Sequence, residues 1–275
     1  MKKVTSFIKK NPAFTVFFIL TLGVIAVAVF APFIATHDPY EAVLTDAVQP
    51  PSSEHWFGTD RMGRDLFSRV IYGARASLSA SLSLVCIIVV AGTFLGIIAG
   101  YFGGILDAVI MRISDMMISF PGMVLAIAVA GILGANVTNA VIAISIVSWT
   151  KYARLARSLV LKIRNRDYIA AARVTGSKNG HILWKYMLPN ALPTILITGA
   201  TDIGSMMLEI AGLSFLGFGA QPPIAEWGLM LNEGRAYMTA APWLMIFPGL
   251  AIFITVVVFN LLGDSLRDVL DPRDE

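Results

Sequence analysis

The sequence predicts an all-α protein, a polytopic membrane bundle of six transmembrane helices, and its composition is the first observation behind that prediction. Hydrophobic residues make up 56% of the 275-residue chain, and charged residues make up only 14%. An ordinary soluble domain carries about 25% charged residues. A water-soluble fold of this length could not hide so much apolar surface, so the balance indicates that lipid is the solvent.

The second observation is a series of long apolar stretches, each able to supply the roughly 20 residues that cross a bilayer. The stretch 116–150 is too long for one span and has turn residues at 134–136, so we interpret it as a hairpin of two helices. A later stretch is interrupted only by Asp202 and Glu209. The predicted helices cover about 13–34, 78–101, 117–134, 139–158, 192–216 and 241–263.

The placement of Lys and Arg predicts the orientation of these helices. With both termini in the cytoplasm, 16 of the 21 basic residues lie inside, as the positive-inside rule requires. The first apolar run is longer than that of a cleavable signal peptide, so we interpret it as an uncleaved span. We therefore expect a multi-pass cell-membrane protein with one domain, 1–275, containing a first span (13–34), an outer segment (35–76), core helices (78–263) and a cytoplasmic loop (160–189).

The outer segment turns amphipathic over 58–69. Thr59 or Asp60 is a good N-cap for a short helix there, on which Asp65 would pair with Arg61 and Arg69 at i,i+4 spacing. One interpretation is a solvated helix lying on the membrane surface, which the residues alone favour. The other is a docking or gating surface.

The cytoplasmic loop predicts two short helices. The first covers 168–176 and ends at Gly176, a residue type suited to the position after a helix. The second covers 180–187, carries aromatic residues and is closed by Leu188 and Pro189. Such a pair could insert into a groove on another protein or pack back onto its own bundle, and the pattern leaves both open. Lys151, Arg154 and Arg157 are expected at the end of the preceding span.

Several kinds of chemistry are absent from the sequence. It has no P-loop and no zincin motif, and no nucleophile with a matched base, so we expect neither an enzyme nor a cofactor in this chain. His37, His55 and His181 are far apart in sequence and are not expected to form one metal site. Nothing in the charge pattern indicates nucleic acid.

Four glycines recur at every fourth position, a spacing that would place them on one face of a helix. Gly92, Gly96, Gly100 and Gly104 form a smooth face on which another helix could pack closely.

Asp202, Ser205 and Glu209 share one face of the fifth predicted helix. Because ionisable residues rarely face lipid, this face is a candidate translocation pathway that would favour cationic cargo. The alternative is that both acids are structural, with Asp202 paired to a basic residue and Glu209 bonded to a neighbouring helix.

Three separated motifs resemble the permeases of ABC importers. The run from Ala171-Ala172 through Gly176 to Leu188-Pro189 resembles their "EAA" loop, with Ala170 in place of the usual Glu and Tyr186 in place of the usual Ile. The outer residues from His55 to Arg69 resemble the signature of the dipeptide, oligopeptide and nickel branch. The third match contains 213–219, Pro222-Pro223 and Trp227-Gly228. The chain looks like the second permease of such a system, nearest to the nickel type.

The resemblance implies a type I ABC-importer permease fold and a set of partners: a second homologous permease in a heterodimer, two cytoplasmic ATPases that hold ATP and Mg, and an extracytoplasmic substrate-binding protein. It implies nickel or other metal chelates, or di- or oligopeptides, as cargo. The implied coupling residues are Ala170, Ala171, Ala172, Gly176, Leu188 and Pro189, and the implied outer signature residues are Gly58, Thr59, Asp60, Gly63, Arg64 and Asp65.

Two other classes remain as alternatives. A secondary transporter would be expected to show inverted repeats, and none is visible. A non-transporting scaffold would have little use for Asp202 and Glu209 within a span.

Overall fold

The structure, a computed structural model, describes residues 10–270. In this range the chain is helical, and its only β feature is an isolated bridge between Thr59 and Asp65, so the all-α prediction is confirmed. The α-helices are α1 Pro12–Val29, α2 Ala31–Ile34, α3 Leu66–Phe102, α4 Gly104–Ile118, α5 Gly122–Leu133, α6 Val137–Arg164, α7 Asp167–Val174, α8 Asn179–Ile182, α9 Leu188–Phe215, α10 Trp227–Gly234 and α11 Trp243–Leu270.

Four helical units within 10–270 are long and apolar enough to cross a membrane: α1, α3, α8 joined to α9, and α11. A fifth candidate is the pair α4 and α5, which meet at a bend of 93°. The predicted count of six is therefore not confirmed. The predicted span 117–134 contains this bend, and α5 alone, at 12 residues, is about 18 Å long, shorter than a hydrocarbon core of about 30 Å.

The long helix α6 is not among these candidate spans, because its second half carries Lys151, Arg154 and Arg157 and is too polar. The prediction that these cations end the helix is wrong. The helix continues to Arg164, and each of the three cations has an acidic partner on another helix.

The helix boundaries shift where local capping differs from the hydropathy pattern. The predicted span 78–101 begins instead at Leu66, because the Asp65 side chain accepts a hydrogen bond from the Ser68 amide and caps α3. The predicted span 13–34 breaks at Phe30, just before a short helix that has Pro32 in its first turn.

The glycine face predicted on α3 packs against α6. A Cβ atom on Gly92 or Gly96 would lie 2.4 Å from the Trp149 oxygen or 2.2 Å from the Ala153 oxygen, so only glycine allows this approach. Gly100 makes a similar contact at 3.0 Å. Gly104 does not belong to the face, since it begins α4 and has no neighbour within 4 Å.

The loop 160–189 contains two short helices, α7 and α8. The first agrees with the predicted helix over 168–176, whereas α8 covers only the start of the predicted 180–187. Gly176 has φ +80° and ends α7 in a Schellman motif, in which its amide bonds the Arg173 carbonyl and the Ser177 amide bonds the Ala172 carbonyl. The second helix is not closed at Leu188 and Pro189. A π-helical turn, Leu183–Met187, joins α8 directly to α9. Pro189 lies in the first turn of α9, where the absence of a backbone N–H group is tolerated.

Candidate functional site

A cavity of about 430 Å³ lies between α6 and α9 and is bordered by the bend between α4 and α5; its lining is largely apolar and carries a few polar and charged groups. All three residues of the predicted stripe, Asp202, Ser205 and Glu209, line it. Two α6 residues, Lys151 and Tyr152, line it as well. The remaining lining residues are Ile88, Met117, Ile118, Phe120, Gly122, Val147, Ser148, Thr150 and Met206.

Asp202 is fully paired inside this cavity. The Lys151 ammonium donates to both carboxylate oxygens at 2.7 Å, and the Tyr152 hydroxyl donates to Oδ2 at 2.7 Å. The Asp202 side chain is 10% exposed, whereas that of Lys151 is 57% exposed. Asp202 therefore has a basic partner of the kind that the structural alternative requires, and the charge of Lys151 balances that of its carboxylate.

Glu209 differs from Asp202 in having no such partner. Its side chain is half-buried, and within residues 10–270 neither a hydrogen bond nor an ion pair to its carboxylate is found. The hydrogen bond to a neighbouring helix that the structural alternative requires of Glu209 is thus not found among the described residues. With Asp202 neutralised by Lys151, the stripe presents one free carboxylate to the cavity instead of two.

The other two α6 cations fix α4 against α6. The Arg157 guanidinium binds both Asp107 oxygens, at 2.5 and 2.6 Å, and Arg154 binds Asp115 at 2.5 Å. Because Lys151, Arg154 and Arg157 are three residues apart, they follow one face of α6. Sequence reasoning missed these pairs, since each one joins residues at least 39 positions apart.

The cytoplasmic loop both packs on the bundle and presents an exposed surface. Ile169 and Ala172 of α7 are fully or nearly fully buried. The Tyr101 hydroxyl at the end of α3 donates to Asn179 Oδ1 at 2.8 Å, which ties α8 to the bundle. The opposite side is exposed and mixed in character, with Val174 89% and Trp184 68% exposed among charged residues such as Arg173 and Lys178.

The sequence-predicted coupling residues divide between these two sides. Ala172 is buried and Leu188 is partly buried. The exposed ones are Ala170, Ala171, Gly176 and Pro189. The two interpretations of the loop are therefore compatible, since one face packs inward and the other remains available to a partner.

The outer signature does not form the predicted surface helix. Asp60 and Arg64 are buried, with Arg64 Nε 2.6 Å from Asp60 Oδ2. Arg69 is 1% exposed, 3.3 Å from the same oxygen. Glu233 of α10 approaches Arg61 and Arg64 at 3.1 and 3.2 Å. The predicted i,i+4 pairs of Asp65 are wrong because Asp65 caps α3, and the arginines turn to Asp60 and Glu233.

Backbone requirements explain the other signature residues. Gly58 and Gly63 have φ near +79° and +72°, and a Cβ at either position would overlap the Gln49 or Val43 carbonyl oxygen. The Thr59 hydroxyl donates to the Asp46 carbonyl and accepts from the Gln49 amide. These residues shape a compact loop around the buried ion pairs.

The third motif builds the outer junction between α3, α9 and α10. Glu226 is buried and caps α10 by accepting from the Gly228 and Leu229 amides. Burial raises the pKa of Glu226, and these two hydrogen bonds partly oppose that shift. The Trp227 indole donates to the Val70 carbonyl of α3 at 2.9 Å.

The histidines are arranged differently from the expectation. His37 and His55 are adjacent, with ring centroids 4.8 Å apart, so the expected separation is wrong for this pair. They meet because the chain between them folds back over the start of α3. His181 lies in α8 and takes no part in the pair.

Comparison with known proteins gives consistent matches. Residues 92–274 match the family described as binding-protein-dependent transport system inner membrane component, and residues 5–51 match the N-terminal TM domain of oligopeptide transport permease C.

Three curated relatives cover most of the chain. A dipeptide transport system permease of Alkalihalophilus pseudofirmus is 45% identical over 97% of this chain and 88% of its own. A glutathione transport system permease of Pectobacterium atrosepticum is 45% identical, covering 93% and 85%. A nickel transport system permease of Escherichia coli is 41% identical, covering 86% of each.

Two solved structures share the fold at low identity. An amino acid ABC transporter with histidines has a TM-score of 0.56 at 19% identity, covering 74% of this chain and 95% of that one. The MetNI methionine ABC transporter in an inward-facing conformation has a TM-score of 0.53 at 17% identity, covering 74% and 97%.

Proposed function

This chain belongs to the binding-protein-dependent transport system inner membrane components and is a permease subunit of an ABC importer, and we propose that its cargo is a di- or oligopeptide or a nickel or other metal chelate. Membership of this family argues against the two alternatives from the sequence, a secondary transporter and a non-transporting scaffold. The chain is a multi-pass bacterial membrane protein, and the importer requires ATPase and substrate-binding partners.

The observation that carries this proposal is the cavity lined by Glu209, in which a few polar and charged groups stand among apolar side chains. Its volume of about 430 Å³ lies in the range of small-molecule sites, about 300–1,000 Å³. Its free carboxylate would favour a peptide amine or a cationic chelate, because a lone acid in a membrane-embedded cavity attracts positive charge. Lys151 could meet a cargo carboxylate, since more than half of its side chain is exposed.

We propose that the cavity is one half of a pathway completed by a second homologous permease. Six passes result if α6 and the bent pair α4 and α5 each count as one span, and both termini then lie in the cytoplasm. The ion pairs of α6 support counting it, because paired charges can be tolerated in a bundle interior. The chain would form a single permease domain.

The coupling role belongs to the exposed face of α7 and α8. We propose that two ATPase subunits, which bind ATP and Mg, contact the loop through Ala170, Ala171 and Val174. The ties of this loop to α3 would carry the movement of the ATPases into the bundle. This chain itself would hold neither the nucleotide nor a catalytic group for its hydrolysis.

Uptake measurements on the assembled importer test the cargo and the cavity together. Cells carrying the complete system would be given a labelled dipeptide or labelled nickel, with the wild-type chain or the Glu209→Gln variant. The variant should reduce uptake of the true cargo at unchanged assembly, while the Asp264→Asn control, an exposed acid on α11, should not. Equal uptake in Glu209→Gln and wild type would remove Glu209 from the pathway.

A further inference from the structure

His37, His55 and Asp65 form a compact cluster at the outer end of α3. Their nearest ligand atoms all lie within 4.8 Å of one another. His55 Nδ1 is 2.9 Å from Asp65 Oδ1, and His37 Nδ1 is 3.8 Å from the same oxygen. We propose that this cluster binds a divalent transition-metal ion of the imidazole-binding class, such as Zn²⁺ or Ni²⁺, which fastens the outer segment to the N-terminus of α3.

The ligand set fits that class of ion. Imidazole nitrogen and carboxylate oxygen bind Zn²⁺ at about 2.0–2.2 Å, and imidazole also suits Ni²⁺. Tetrahedral bonds of that length place two donor atoms roughly 3.3–3.5 Å apart. The distances of 2.9 and 3.8 Å from Asp65 fall on either side of this separation, and all three ligand atoms lie within 4.8 Å of one another, so side-chain rotation would have to draw them together to complete three protein ligands. The fourth position would remain for water.

The surroundings hold the ligands in place. Asp65 Oδ2 accepts from the Ser68 amide at 2.8 Å, which orients the carboxylate and leaves Oδ1 facing the two imidazoles. The His37 amide donates to the Ser68 hydroxyl at 3.0 Å. Hydrogen bonds of this kind, made outside the ligand set, typically fix the geometry of metal sites.

Exposure provides an entry route for the ion. The Asp65 side chain is 1% exposed and that of His55 is 12% exposed, whereas that of His37 is 38% exposed. An ion would therefore enter from the His37 side and displace the direct contact between His55 and Asp65. Because the cluster contains none of the residues that line the cavity around Glu209, the site stands independently of the proposed cargo.

Calorimetric titration of the purified full chain, carrying no histidine tag, tests the site. Zn²⁺ and Ni²⁺ are the probes, and Mg²⁺ is the negative control. The wild type should bind one equivalent of Zn²⁺ or Ni²⁺ and should unfold at a higher temperature with the ion present. His37→Ala and His55→Ala should each weaken binding at least about tenfold, the loss typical of outer-shell changes. His181→Ala, which removes an exposed histidine elsewhere, should bind as the wild type does.

Two results would overturn the proposal. One is the absence of stoichiometric binding by the wild type. The other is binding that His37→Ala and His55→Ala leave unchanged, which would mean adventitious surface binding only. If His55→Ala fails to fold, His37→Ala decides alone, because its side chain is partly exposed and removal of the imidazole leaves the Asp65 cap in place.

Discussion

Asp202 and Glu209 show how differently two acids on one helix face can be used. Asp202 is held by Lys151 and Tyr152, and Glu209 is held by no side chain in the described range 10–270. Removing one partner of a buried ion pair leaves the other charge uncompensated, which costs about 3–5 kcal/mol when both groups are fully buried. The two acids should therefore respond differently to the loss of charge.

Asp202→Asn should destabilise the chain more than Glu209→Gln does. Because Lys151 is 57% exposed and can reach water, we expect a loss of about 1–2 kcal/mol rather than the full buried-pair value. Thermal unfolding in detergent measures this difference. Equal unfolding temperatures for the two variants would contradict the assignment of Asp202 as the structural acid.

The glycines of α3 allow a similarly direct comparison. Gly96→Ala should destabilise the chain by about 1–3 kcal/mol, because the new methyl group would overlap the Ala153 oxygen and the Ala156 side chain of α6. Gly23→Ala in α1 is the matched control. Its Cβ would meet nothing within 4 Å, so it should be neutral or stabilising by about 0.5–1 kcal/mol. The unfolding temperatures of the two variants measure this difference. A lower temperature for Gly96→Ala alone indicates steric overlap, whereas a similar rise in both indicates that helix propensity dominates.

Single residues were predictable where the reason was local, and not where it was tertiary. Spacing along one helix was enough to identify the glycine face of α3. The partner of Asp202 lies 51 positions away on a helix whose length the hydropathy pattern misjudged. Glu233, which completes the outer ion cluster, lies 169 positions from Arg64, and no sequence signal linked the two.

Among the elements, α7 depends on its terminating glycine. Gly176→Val should weaken ATPase contact and transport, because a residue with a side chain at φ +80° costs about 1–2 kcal/mol and would disturb the Schellman motif. No atom lies within 4 Å of the new Cβ, so the effect would come from the backbone alone. Co-purification of the ATPase subunits and an uptake assay measure it.

Gly180→Val supplies the control for this prediction. Gly180 is an exposed glycine in α8, its Cβ would also meet nothing within 4 Å, and its φ is not positive. This variant should retain assembly and uptake. Equal damage from both variants would mean that the loop tolerates no side chain on this surface, and it would count against a backbone role for Gly176.

The cap of α10 predicts a pH dependence. The pKa of Glu226 is raised above its ordinary value of 4.5, so the folded chain binds this proton more tightly than the unfolded chain does. The resulting stability is complete below pH 4.5 and is lost as the pH rises through the folded-state pKa. Wild type should therefore lose stability relative to Glu226→Gln as the pH rises above 4.5. A constant difference in unfolding temperature at all pH values above 4.5 would contradict it.

Elements with a strong local stop signal were predicted well. Gly176 identified the end of α7, and the turn at 134–136 separated α5 from α6. The predicted outer helix failed because Asp65, rather than Thr59 or Asp60, caps the next long helix. Gly58 and Gly63, both at positive φ, keep the preceding segment irregular, and charge spacing alone does not reveal such a loop.

At the scale of the whole molecule, the proposed topology can be tested by cysteine labelling. Cys86 is the only native cysteine, so Cys86→Ser gives a background without thiols. A membrane-impermeant thiol reagent should label Leu44→Cys, which is 69% exposed in the outer segment. It should not label a cysteine in a C-terminal tag until the membrane is opened. Efficient labelling of the tag in intact cells would refute six passes.

The composition predicted the class of the whole molecule better than it predicted the number of spans. An apolar excess of this size is sufficient for a helical membrane bundle. Counting spans requires knowing which polar residues are neutralised by neighbours, and that depends on the fold. Residues 10–270 accordingly contain four helical units that could each cross a membrane, a bent fifth candidate and a polar α6, where hydropathy suggested six helices.

The ion pairs of α6 also bear on the order in which the helices insert into the membrane during synthesis. The acids that bind Arg154 and Arg157 lie earlier in the chain and are already synthesised when α6 emerges. The partner of Lys151 follows 51 residues later, a delay of roughly 3–10 s at 5–20 residues per second. During that interval Lys151 would lack its acidic partner, and an unpaired lysine that entered the bilayer centre would cost about 2.5–3.5 kcal/mol. We therefore expect the second half of α6 to remain at the membrane surface at first. It should insert fully only after α9 has been synthesised and Asp202 can pair with Lys151.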